Sequence, residues 1–265
     1  FKAGKIGSLL GLEGGHAIEN SLGVLRSYYD LGARYMTLTH NVTLAWADAA
    51  QDTAAHGGLT AFGREVVREM NRLGMMVDLS HVSPAVMSNV LDVAESPVIF
   101  SHSSARAITD HRRNVPDSIL RRLPKNGGIV MVTFVPSFVN PQFGAWEAAL
   151  DSVVTAAQAA SQDTAAVRAQ VRAWRKEHPL PPAALSDVAD HIEHIRKVAG
   201  ADHIGLGSDF DGMGPVTPIG LEDVSDFPSL FAELIRRGWK DGDLKKLAGE
   251  NMLRVMRANE ATARR

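Results

Sequence analysis

The chain has 265 residues, enough for one strand-helix barrel of about 250 residues, and its 28 basic residues stand against 30 acidic ones for a net charge of −2. With no basic excess there is no electrostatic case for nucleic acid or a membrane surface as partner, and no apolar run reaches the roughly 18 residues of a spanning helix. The absence of cysteine removes disulfides and thiolate ligands, so any metal must be held by His and carboxylate, and this suits a reducing compartment.

In chain order, the apolar run Ile6 to Leu12 reads as a strand that ends in Glu13-Gly14-Gly15-His16. A carboxylate at a strand's carboxyl end, followed by glycines that let the backbone turn sharply, has the character of a site. Asn20 or Ser21 caps a helix carrying Leu22, Leu25, Tyr28 and Tyr29 at helical spacing, and Gly32 closes it. Tyr35 to Thr39 is a second strand, ending in His40. Residues 41–59 form a polar, glycine-containing loop long enough to be functional, with Trp46 a candidate wall or lid. The stripe Phe62, Val66, Met70, Leu73 predicts a helix from Thr60 to Leu73, stopped at Gly74.

Met75 to His81 and Pro97 to His102 are short apolar runs, each ending in a histidine, with one helical segment from Ser83 to Glu95 between them. Continuous apolar runs joined by a helix predict parallel neighbours buried on both faces. The two imidazoles then emerge side by side, about 5 Å apart at the strand level, as half of a metal site. Ser83-Pro84 supplies a cap and a first-turn proline.

Beyond His102 lies a basic patch, His111-Arg112-Arg113-Asn114, then a helix from Pro116 to Leu123 broken by Gly127-Gly128. Ile129 to Phe134 is a further strand and Val135 to Phe138 a loop. The alanine-rich, charged stretch 145–177 predicts a helical excursion outside the barrel, within outer limits of about 141–185, ended by Pro179, Pro181 and Pro182. Ser186 to Val198 is another helix, closed by Gly200. The last strand, His203 to Gly207, leads into Ser208-Asp209-Phe210-Asp211-Gly212, and closing helices follow near Pro228 to Gly238 and Asp241 to Ala258.

This alternation predicts an α/β fold, a TIM-like (β/α)8 barrel as a single domain over 1–265, with about six strand-helix units present. Roughly the first two units are missing: either the sheet is open and incomplete, or those strands lie upstream of Phe1 in a processed or truncated protein or come from another chain. The strand-end residues Glu13, His40, His81, His102 and Asp209 are all nitrogen or oxygen ligands. Singly, a strand-end histidine is structural and a strand-end aspartate caps the next helix. Five together point to a shared metal site, with zinc suited to imidazole and carboxylate and a carboxylate such as Glu13 able to bridge two ions.

Three other features carry less. His191-Ile192-Glu193-His194 lies in a helix of the outer ring and reads as a solvated face. Glycines 11, 14 and 15 lack the lysine and hydroxyl residues of a phosphate cradle. Arg112-Arg113 reads either as a solvated pair or as a fork for a carboxylate at the same rim as His102.

Leu12-Glu13-Gly14-Gly15-His16, Leu38-Thr39-His40, Asp78-Leu79-Ser80-His81-Val82-Ser83, Phe100-Ser101-His102-Ser103-Ser104, Arg112-Arg113-Asn114-Val115-Pro116-Asp117 and Gly207-Ser208-Asp209-Phe210-Asp211-Gly212 together resemble the membrane (renal) dipeptidase family of zinc peptidases. The resemblance implies a (β/α)8 barrel with two zinc ions that hydrolyses dipeptides, including those with a D-residue at the carboxyl end. It further implies Glu13 as the carboxylate bridging the two Zn2+ ions, His81 and His102 as ligands of one, and Asp209 as a ligand of the other that also handles the proton. His40 would stabilise the oxyanion and Arg113 would hold the substrate's free carboxylate, while Phe138 stands where some relatives have Tyr. No His-x-Asp pair, which completes the first zinc in the family, precedes Glu13; a separate N-terminal segment is expected to supply it. The family also suggests a homodimer, and the lack of cysteine a bacterial, cytoplasmic member. The rival readings are an amidohydrolase-type barrel acting on another amide or a lactone, and a non-catalytic metal-binding fragment.

Overall fold

The computed structural model describes residues 4–264; Phe1 and the last residue of the charged tail, Arg265, lie outside the described residues. Within them, six strands form one parallel sheet in sequential order: β1 (Leu10–Glu13), β2 (Ala33–Thr37), β3 (Met76–Asp78), β4 (Ile99–Ser103), β5 (Ile129–Thr133) and β6 (Ile204–Ser208). The helices α1 (Leu22–Asp30), α2 (Ala61–Leu73) and α3 (Pro84–Val93) cross between the first four strands. Short helices α4 (Asp117–Leu120), α5 (Leu123–Asn126) and α6 (Pro136–Val139) flank β5, and α7 (Pro141–Ala160), α8 (Thr164–Glu177) and α9 (Leu185–Ala199) lead to β6. The chain closes with α10 (Phe227–Arg236), α11 (Asp241–Lys245) and α12 (Asn251–Thr262). This is the curled, helix-wrapped parallel sheet of a TIM-like barrel.

The helices begin where side chains can take up free backbone N–H groups. Ser21, Thr60 and Ser83 each accept from the third residue of their helix at 3.3 Å. Gly74 ends α2 with φ 79°, a left-handed stop that costs glycine nothing.

Two side-chain layers follow from the period of two along the strands. Met36, Val77, Phe100, Val130, Val132 and Ile204 are buried in the main core that the helices cover. Met76, Ile99 and Ile129 instead form a smaller cluster with Tyr35 and Met131, and the same face of the sheet ends in the polar residues Glu13, Thr37, Asp78 and Ser101. Gly11 is required on this face, because a Cβ there would stand 2.0 Å from the Tyr35 ring.

Several elements differ from the sequence expectations. β1 starts at Leu10 rather than Ile6, which is 98% exposed, because β2 begins at Ala33 opposite Leu10 and gives the preceding residues nothing to pair with. β2 likewise ends at Thr37, so His40 lies in the following loop. The single helix expected from Pro116 is two short ones, since Pro124 has no N–H to donate back to Leu120. Val135 to Phe138 is largely helical: Pro136 opens α6 and all four of its residues are buried. Trp46 is neither wall nor lid; it is core, 1% exposed, packed edge-on against Phe62. The stretch 145–177 falls within α7 and α8, which lie largely on the surface.

Candidate metal centre

Glu13 is the last residue of β1, and the chain turns immediately after it through Gly14 at φ 115°. Gly15 then fits closely against Trp46, where a Cβ would meet the ring at 2.5 Å. The two glycines thus have different physical reasons, one conformational and one steric, and together they fix where the carboxylate points. His81 follows β3 in a left-handed conformation, φ 67°, and Ser208, the last residue of β6, and Asp209, just after it, have φ 42° and 77°. Non-glycine residues held in this region cluster at functional sites.

His102 and Asp209 reach the same side of the sheet through irregularities in strand pairing. Between Phe100 and Ser103 the β4 ladder advances three residues against two of β5, Val130 to Val132. Between Leu206 and Ser208, β6 advances two against one of β5. Extra residues of this kind re-aim side chains.

The result is a triangle of donor atoms. Nε2 of His81 is 2.8 Å from Nε2 of His102, and Oε1 of Glu13 is 3.0 Å from the first and 3.3 Å from the second. Three ligands at zinc-like bond lengths of about 2.0–2.1 Å in tetrahedral array would be separated by about 3.3 Å, so the donor set fits a single divalent ion with little movement. His40 joins the group from the β2 side: its ring lies 4.6 Å from that of His81, edge to face, and ligand atoms of Glu13, His40 and His81 all lie within 4.8 Å of one another. Asp209 faces the same cavity, about 310 Å3 in volume and lined also by Glu13, Tyr35, Thr37, Ser101 and His102. Among the described residues its carboxylate makes no hydrogen bond or ion pair with Glu13, His40, His81 or His102. A larger hollow of about 630 Å3 lies nearer the amino ends of β1 and β6, between Leu9 and Met252, but it brings no histidine to its wall.

The electrostatics suit cation binding. The His102 and His81 rings beside it hold the Glu13 carboxyl far below the usual carboxylate range. Burial pushes His81 down to about 4, so its ring is neutral at ordinary pH. Ionised carboxylate and neutral imidazole are the states a metal requires. Nδ1 of His81 is buried without a partner. Burial, and secondarily the Glu13 charge, raise Asp209.

Arg113 and Arg112 part company: Arg113 is 4% exposed and Arg112 stands outside. The Arg113 guanidinium lies 5.2 Å above the Phe138 ring, reaches the His102 carbonyl at 3.5 Å, and leaves Nε without a partner. It makes no ion pair among the described residues, and although burial lowers it to about 10 it stays cationic at neutral pH. A buried guanidinium with no carboxylate partner beside this cluster of ligand-type side chains has charge left for an anion.

His191 corrects the expectation of a solvated face. It is fully buried, on the α9 stripe with Val188, Ile192 and Ile195. Its Nδ1 accepts from Ala105 N–H at 2.9 Å and its Nε2 donates to the Val139 carbonyl at 3.1 Å, so it is structural. The sequence reading gave no role to Asp78 and Ser101, which stand directly behind His102. A carboxylate inside an apolar strand run was the available signal, since a buried charge must be satisfied somewhere.

Over residues 1–265 the chain matches the family described as membrane dipeptidase (peptidase family M19). It is similar to the probable dipeptidase PvdM from Pseudomonas aeruginosa, with 26% identity, a TM-score of 0.84, and coverage of 96% of this chain and 70% of that one. An amidohydrolase from Pseudomonas aeruginosa is 27% identical with a TM-score of 0.77, covering 97% and 74%. A metallo peptidase from Rhodobacter sphaeroides, solved with a phosphinate mimic of the dipeptide L-Ala-D-Ala, is 26% identical with a TM-score of 0.72, covering 95% and 63%.

Proposed function

Because this chain belongs to the membrane dipeptidase family of metallo-dipeptidases, peptidase family M19, we propose that it hydrolyses the peptide bond of dipeptides, those with a D-residue at the carboxyl end included, with zinc as its metal. The observation that carries the reading is the triangle of Glu13, His81 and His102, whose spacing matches three ligands of one ion.

In this reading Glu13, His81 and His102 would hold one ion, and Glu13 with Asp209 would contribute to holding a second. The bound metal would polarise the scissile carbonyl and supply a nucleophilic water near neutral pH. Asp209, whose carboxyl burial raises, takes a proton from the attacking water and passes it to the leaving amine. His40, edge-on to His81, donates to the oxygen on which negative charge develops. Arg113 binds the substrate's free carboxylate through charge-assisted hydrogen bonds, and so limits substrates to two residues. A further segment bearing a His-x-Asp pair would complete the ligands of the ion that Glu13 and Asp209 share, the first zinc of the family pattern.

A panel of L,L- and L,D-dipeptides, their carboxyl-amidated forms, and simple amides and lactones, assayed on the zinc-supplemented protein, tests this. Turnover confined to free-carboxylate dipeptides is expected. Equal turnover of amidated forms or lactones would move the reading to a general amidohydrolase, which the 27% identical neighbour of that description favours. Zinc uptake without any turnover would leave only a metal-binding protein.

A further inference from the structure

We infer that Asp78 and Ser101 act as one positioning unit, which presents Nε2 of His102 to the metal with its lone pair free. The inference rests on the metal-site reading above, and the side chains behind the site carry it.

Asp78 ends β3, one strand over from Glu13's neighbour β2, yet it is fully buried and closed to a ligand role. Its Oδ2 accepts from Thr37 Oγ1 at 2.6 Å and from Ser101 Oγ at 2.5 Å. Its Oδ1 accepts from the backbone N–H of Ser101 at 2.9 Å and of Ser80 at 3.1 Å. Four donors occupy the lone pairs a carboxylate offers.

The direction of the next bond follows from proton count. With four donors turned to it Asp78 serves as acceptor throughout, so the single hydroxyl proton of Ser101 points at Asp78. Ser101 Oγ lies 2.7 Å from Nδ1 of His102 and has only acceptor capacity left for it. Nδ1 of His102 therefore carries the ring proton. In a neutral imidazole that leaves Nε2 bare, and Nε2 is the atom turned to Glu13 and His81.

The same contacts hold the ring in place. The Asp78 bond to Ser101 N–H pins the irregular stretch of β4 that brings Ser101 and His102, adjacent residues, to one crevice. Ser80 Oγ accepts from the His102 backbone N–H at 3.0 Å. His81 has nothing comparable, since its Nδ1 is buried without a partner. The two histidines are therefore unlike: one arrives with its tautomer set, and the other takes its tautomer from whatever binds.

The test uses the full chain with Zn2+ alone as probe, its affinity read by competition with a chromophoric chelator. Ser101→Ala and Asp78→Asn should each weaken Zn2+ binding about 10–100-fold, the range of outer-shell changes at metal sites. The double variant should lose no more than the worse single one, and Ser101→Thr, which keeps the hydroxyl, should restore affinity. Long-range 15N–1H correlation on the metal-free chain should show His102 protonated at Nδ1 in the parent and as a mixture in Ser101→Ala. Parent-like Zn2+ affinity in Ser101→Ala, or a parent His102 protonated at Nε2, overturns the inference. Should Asp78→Asn fail to fold, Ser101→Ala decides alone. A parent chain that takes up no Zn2+ refutes the metal reading instead, while the tautomer still reports on the relay.

Discussion

Nε2 of His81 and Nε2 of His102 lie 2.8 Å apart although 21 residues separate them in sequence. Two ring nitrogens at that distance have room for one hydrogen or one cation between them. Because a ligand that binds only the folded state stabilises it, Zn2+ at about 100 times its dissociation constant should raise stability by about 2.7 kcal/mol. Thermal unfolding with and without chelator measures this. His102→Ala should abolish the zinc-dependent rise in Tm and lower kcat/KM by more than the about 10–100-fold of an outer-shell change.

Arg113 should show stability and activity moving in opposite directions. The guanidinium is buried and makes no ion pair among the described residues, so the fold bears its desolvation, and in the proposed function a substrate carboxylate receives its charge. Arg113→Met should hold or raise stability by up to about 1–2 kcal/mol, since apolar replacements of poorly compensated buried charge are neutral or stabilising. The same variant should lose about 10²-fold or more in kcat/KM for dipeptides, the cost of about 3 kcal/mol of charged hydrogen bonding. Denaturant midpoints and dipeptide kinetics on one preparation check both signs. Unchanged dipeptide kinetics would remove Arg113 from the substrate site.

The loop over residues 41–59 is organised by one buried carboxylate. Asp48 accepts from the backbone N–H groups of Ala55 at 2.8 Å, His56 at 3.0 Å and Gly58 at 2.7 Å. Burial pushes this carboxyl up, and the three N–H groups more than reverse that, leaving it below the usual range. Asp48→Ala removes the acceptor of all three and leaves the buried Gly58 N–H unpaired, which should cost about 1–3 kcal/mol, with Asp48→Asn less damaging. Hydrogen exchange should rise first at Ala55, His56 and Gly58. Protection unchanged at those amides would mean the loop is held by something else.

His191 sets a pH dependence. Burial lowers it from the ordinary 6.5 to about 4, so the folded protein keeps the ring neutral while the unfolded chain takes up a proton first as pH falls. Its contribution is intact above about pH 6.5 and is lost as pH falls from there towards about 4, since stability rises with pH wherever the unfolded state binds more protons. The loss is on the order of 2–3 kcal/mol. His191→Gln should be less stable at pH 7 yet flatter across pH 6.5–4 in urea unfolding. A variant curve as steep as the parent's would assign the acid sensitivity elsewhere.

What the amino-acid sequence determined by itself was the alternation of strands and helices, the caps at Ser21, Thr60 and Ser83, the stop at Gly74, and the apolar runs that end in Glu13, His81 and His102. These signals are local. Periodicity, capping and left-handed stops depend on residues within a turn or two of each other. Tertiary structure alone decided which of those residues share a crevice. The His102 side chain turns inward because β4 gains a residue against β5, and a pairing irregularity belongs to two strands at once. It alone also separated Arg113 from Arg112 by burial, moved Trp46 from loop to core, and made His191 a structural hydrogen-bonding residue rather than a solvated one. Burial is a property of whatever packs on top, however distant in sequence. The tie from Asp78 through Ser101 to His102 has the same origin: a carboxylate in an apolar run announces that donors must surround it, and only neighbouring strands in register supply them.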